Sequence, residues 1–86
     1  MAKENFIEKL HEAGMLYFVL GSLISAETLV DVESCRKSLK FLGVMKEDFE
    51  TSKLKDDEKI KKFLKDAERI IKRDLEGFKS AASQKG

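Results

Sequence analysis

The chain has no proline and no tryptophan, and only one cysteine, one histidine and one tyrosine. Without proline, no helix is forced to stop for want of a backbone donor, and only five glycines are present to interrupt one. Long helices are therefore the default expectation. The lone Cys35 excludes an internal disulfide framework, so the core or self-association must hold the fold, as suits a reducing cytoplasm. A surplus of one charge sign is missing too: 17 Lys and Arg stand against 16 Asp and Glu, and a net +1 sets up no global field. No apolar run reaches the roughly 18 residues that a membrane-spanning helix needs. The opening residues, Met1 to Glu12, lack the basic leader and apolar stretch of an export signal. The expectation is a soluble, cytoplasmic chain without membrane association.

What is present is 86 residues, 42% apolar and 38% charged, the size and balance of one compact domain. Residues 1–79 are expected to form it, with 80–86 as a small, polar, flexible tail. One asparagine, Asn5, and one glutamine, Gln84, stand beside a heavy load of Lys and Glu. That is the compositional drift of proteins from hot environments.

Asn5 and Glu8 form an Asn-x-x-Glu capping box, so a helix is expected to start there. Phe6, Ile7, Leu10, Gly14, Tyr17, Phe18, Gly21 and Ile24 recur at three- and four-residue steps, and Lys3, Glu4, Glu8, Lys9 and Glu12 hold the opposite side. From Ala13 to Ala26 no charged residue appears on any side. A break is expected around Gly21, Ser22 and Ser25, with Ser25 capping a second helix, although one unbroken helix to residue 42 also fits. The second helix would bury Leu29, Val32, Cys35, Leu39 and Leu42 and end at Gly43 in a left-handed C′ position. Residues 44–55 read as a connector holding at most one or two turns around Met45 and Phe49. The last element is the clearest: Asp56 as cap, then Ile60, Phe63, Leu64, Ala67, Ile70, Ile71, Leu75 and Phe78 in a sustained 3.6-residue stripe, predicting helix over 57–79. The fold class that follows is all-α: an antiparallel bundle of three main helices, with room for a short fourth in 44–55, completed by self-association.

The residues that carry chemistry are sparse. Cys35 and His11 are the only Cys-His pair the composition allows, and Cys35 falls on an apolar stripe, where a buried inert thiol is the natural reading. Glycine-rich phosphate loops are absent. Glu8 and His11 have the Glu-x-x-His spacing of di-iron carboxylate bundles, and across a two-fold dimer Glu27 or Glu33 would be the bridging carboxylates. A packed or half-exposed imidazole beside an apolar stripe is the commoner role for such a histidine, and no cofactor or metal is expected. Lys61, Lys62, Lys65, Arg69, Lys72 and Arg73 lie on the polar side of the last helix and suit a phosphate backbone. Asp66, Glu68, Asp74 and Glu76 are interleaved among them, as on a solvated face of i,i+4 pairs. A helix-turn-helix drawn around Gly43 would start its recognition helix Lys46-Glu47-Asp48-Phe49-Glu50, with three acids facing phosphates.

The uncharged run carries the most weight. Met15, Leu16, Phe18, Val19, Leu20, Leu23 and Ile24 spread around the circumference at 100° per residue, so one internal core cannot cover them all. Gly14, Met15, Phe18, Val19, Gly21 and Leu23 are the expected oligomer interface. A fully buried central helix in a monomer is the competing reading. The function expected is a small non-enzymatic interaction or adaptor protein, dimeric, with a protein partner. The alternative is a nucleic-acid-binding protein using the basic residues of the last helix, and a metal site at a dimer interface is a more distant one.

Overall fold

A computed structural model describes residues 5–84; Lys3, Glu4 and the end of the expected tail, residues 85–86, lie outside it. The described residues form four helices and no strand: α1 (Phe6–Glu12), α2 (Leu16–Leu23), α3 (Val32–Glu50) and α4 (Glu58–Gln84). The fourth helix arises from a division of the first segment and not from the connector.

Asn5 caps α1 as the sequence suggested, its Oδ1 accepting from Glu8 N at 3.2 Å. Glu8 does not return the bond. Its carboxylate accepts from Lys53 N at 3.1 Å, while Asn5 Nδ2 donates to Asp48 O at 2.7 Å, so the two residues tie α1 to the end of α3 and to the turn that follows it. The helix stops at Gly14, which the periodicity had placed inside it. Gly14 N donates to His11 O and Met15 N to Leu10 O, the paired bonds of a Schellman motif, with Gly14 at φ 71° in the C′ position. A side chain would strain that backbone, so Gly14 marks a turn and does not line a helix face.

Ser25 does not cap a long helix. Thr28 N and Leu29 N both donate to Ser25 O, closing one turn, and the chain enters α3 only at Asp31. There Asp31 Oδ1 accepts from Ser34 N at 2.7 Å and Ser34 Oγ accepts from Asp31 N at 3.0 Å, a complete capping box. α3 then runs through Gly43 to Glu50. A helical glycine costs about 1 kcal/mol relative to alanine, but ending at Gly43 would forfeit burial of Met45 and Phe49. These continue the buried stripe of Cys35, Ser38 and Leu42, at roughly 1.5–3 kcal/mol for a large apolar side chain. The same continuity removes the turn that a helix-turn-helix requires.

Asp57, not Asp56, caps α4, its Oδ1 accepting from Lys59 N and Ile60 N. α4 continues beyond residue 79 to Gln84, through the segment expected as a tail. Every member of its predicted stripe is buried or packs against the core. The most extensive pairing is α3 against α4. Lys46 near the end of α3 meets Glu68, whereas Asp31, Val32 and Glu33 at its start share a surface groove with Phe78, Ala81 and Ala82, so the two helices run in opposite directions. α1 packs on α3, and α2 on α4 and α1. The fold extends over 53 × 24 × 19 Å, and the 27 residues of α4 span about 40 Å of helix.

Candidate functional site

Two surfaces stand out, one apolar on α2 and one cationic on α4. In the uncharged run, Leu16 and Leu20 are buried, and Leu23 and Ile24 pack against the core. Tyr17 turns back onto α4, its ring 5.7 Å from that of Phe63 and beneath Lys59 Nζ at 5.1 Å from the centroid. Met15 and Phe18 point the other way. Phe18 is 70% exposed, more than any other large apolar side chain described, and Met15, one turn before it, is 45% exposed. Val19 and Gly21 are half-buried beside them. Of the six expected interface residues, Met15, Phe18 and Val19 therefore share an outward ridge. Leu23 belongs largely to the core, and Gly14 sits in the turn between helices. A second apolar patch, not singled out from the sequence, joins Phe6 and Phe41 edge to face at 5.9 Å, with Val44 one turn beyond on α3.

The six basic residues of α4 share one face. Helical spacing places Lys61, Lys62, Lys65, Arg69, Lys72 and Arg73 within an arc of about 120°, opposite the buried stripe. Of the acids, Asp66, Glu68 and Asp74 lie outside that arc, whereas Glu58 and Glu76 fall on its line one turn beyond each end, each exposed and paired with a lysine, Lys61 at 3.8 Å and Lys79 at 3.7 Å. Glu68 and Asp74 are drawn inward, their side chains 31% and 30% exposed, whereas Arg69, Lys72 and Arg73 are all above 60%. Glu68 accepts from Lys46 of α3 and from Lys72 at 3.0 Å, and these hydrogen bonds hold its carboxyl below the usual range. Ion pairs also join Asp66 to Arg69 at 3.9 Å and Asp74 to Arg73 at 3.3 Å. Lys62 and Lys65 have no ion pair among the described residues.

At one end of this face lies an open cleft of about 500 Å³, lined by Lys46, Lys55, Lys61 and Lys65, by Phe49 and Leu64, and by Glu50 and Asp56. Lys46 and Lys55 were not singled out from the sequence. Lys46 had been assigned to a connector, and the continuation of α3 through Gly43 is what brings it opposite α4. The signal was the spacing of Leu42, Met45 and Phe49, which extends the stripe past the glycine.

The remaining chemical candidates do not converge. Glu8 is engaged with Lys53 N, His11 is exposed on α1, and among the described residues no three His, Cys, Asp or Glu side chains form a group able to hold a metal ion. Cys35 is fully buried, and burial, reinforced by Asp74 and Asp31, pushes its thiol up, away from the reactive thiolate. No helix among the described residues is long and apolar enough to cross a membrane. Compared with protein-family models, curated proteins and solved structures, the chain matches none.

Proposed function

We propose that this is a small, non-enzymatic helical interaction protein of the cytoplasm, an antiparallel bundle completed by self-association through α2. The dimer is the assembly we favour, with the charged helix faces left for a protein partner. The observation that carries this reading is Phe18, 70% exposed on a helix whose run of residues 13–26 has no charge. Two such ridges packed together would bury Phe18 and Met15 from each protomer. Each side chain would contribute roughly 1.5–3 kcal/mol before the entropy of association is subtracted. The open space around the Cβ position of Gly21 leaves room for a second backbone nearby. The non-enzymatic reading rests on Cys35, whose thiol is buried and raised while His11 is exposed.

The test is Phe18→Lys, compared with wild type by sedimentation velocity and circular dichroism. The reading expects unchanged helicity and a fall in mass to that of a single chain. A variant that folds and keeps the wild-type mass contradicts it.

A further inference from the structure

We propose that the outward face of α4, together with the cleft at its start, binds single-stranded nucleic acid, with phosphates along the cationic arc and one unstacked base in the cleft. The proposal goes beyond the self-association reading and uses a different helix. The first observation is the segregation of charge. Between residues 61 and 73, six cations occupy one arc about 18 Å long, and Glu68 and Asp74 are turned inward from it. In sequence the signs alternate; in space the outer line is positive from residue 61 to residue 73, with Glu58 and Glu76 bounding it at either end. Because the whole chain carries only +1, this field is local to α4, which favours a ligand with repeated charges laid along the helix over long-range capture of any anion.

The second observation is the cleft, which adjoins the arc through Lys61 and Lys65, residues common to both. Its volume of about 500 Å³ lies within the range of small-ligand sites. Four lysines line it with the apolar side chains of Phe49 and Leu64. Lys46 is held by Glu68 and Lys61 lies 3.8 Å from Glu58, which leaves Lys55 and Lys65 as the cations without an ion pair among the described residues, beside an apolar surface that suits a flat, partly apolar ring attached to phosphate. Glu50 and Asp56, also in the lining, would repel a bare phosphate, but carboxylates accept from the exocyclic amino groups of bases. An anionic bilayer is disfavoured because the arc carries no apolar residue between its cations, and a membrane-surface helix needs an apolar face to insert. A duplex is disfavoured because its bases are stacked and paired, out of reach of a cleft that takes one ring.

The test is fluorescence anisotropy with a labelled deoxycytidine oligomer of about 12 nucleotides, whose bases carry the exocyclic amino group, titrated with the full chain over a salt series. A duplex of equal length, polyglutamate and phosphatidylserine vesicles serve as competitors. The proposal expects binding that weakens steeply with salt, and competition by unlabelled single strand well ahead of the other three. Lys62→Glu with Lys65→Glu lies on the solvent side, and its fold is checked by circular dichroism. It should lower the magnitude of the log K against log salt slope by about 1.4, at about 0.7 per phosphate contact for single strands. Lys55→Glu should weaken single-strand binding from the cleft side. No binding at low salt, equal competition by duplex, polyglutamate or vesicles, or an unchanged slope in the folded double variant would overturn it. Solution mass reads the self-association proposal separately, so either can fail alone.

Discussion

Lys46 on α3 donates a hydrogen bond to the carboxylate of Glu68 on α4, and so joins the two longest helices while turning an acid away from the outer face of α4. The pair fixes the side of α4 on which its negative charge sits. A Glu68→Gln variant should lose no more than about 1 kcal/mol at neutral pH, because both partners are partly exposed and screened. Its acid limb should also flatten. The Glu68 carboxyl is held below its ordinary value in the fold. Its contribution is therefore complete above the unfolded value near about 4.3 and is lost as the pH falls through the lowered folded value. Thermal melts of wild type and variant between pH 7 and pH 3 check this: the difference should shrink toward the acid end.

The start of α3 rests on Asp31 and Ser34, and the hydrogen bonds from Ser34 hold the Asp31 carboxyl below its usual range. By the same sign, its stabilisation is present above the unfolded value and disappears as the pH drops through the folded one. Asp31→Ala should lower the melting temperature at pH 7. Asp31→Asn, which keeps a capping oxygen, should recover most of the loss while removing the acid dependence.

The glycines divide into two kinds. Gly14 has φ 71°, and Gly14→Ala should cost about 1–2 kcal/mol for placing a Cβ in the left-handed region. Gly43 is helical with open space where a Cβ would go, so Gly43→Ala should stabilise by about 0.5–1 kcal/mol. Denaturant melts with unchanged m-values decide both signs.

Phe18 and Leu20, two residues apart on α2, should behave oppositely. Leu20 is fully buried, and Leu20→Ala should destabilise by about 2–5 kcal/mol. Phe18→Ser should leave the stability of a single chain within about 0.5 kcal/mol. It should, however, abolish any rise of melting temperature with protein concentration, the signature of self-association.

The sequence made the helical class and the α4 stripe legible because Ile60 to Phe78 repeat one apolar pattern over five turns, and Asn5 was readable as a cap from its own chemistry. Gly43 and Gly14 were misread for one reason. Glycine tolerates both a helix interior and a left-handed turn, and the neighbours decide: Met45 and Phe49 carry α3 onward, whereas the bonds from Gly14 N and Met15 N close a Schellman turn. Asp31 was missed as a cap because Ser34 fills the place usually taken by Glu or Gln. On the surfaces, the apolar character of Met15 and Phe18 could be read directly, but not that Leu16 and Leu20 would take the core. The charge segregation on α4 was hidden by reading its acids along the chain and not around the helix. The cleft required a tertiary contact, Lys46 against Glu68, that no local pattern encodes.

The proposed interface between two copies of this chain is the ridge of Met15 and Phe18. Light scattering of the untagged protein, over a wide range of concentrations and at low and high salt, tests it most directly. The expected mass is near twice that of one chain and persists in high salt, because an apolar interface is not screened. A single-chain mass at every concentration and both salt strengths would contradict it.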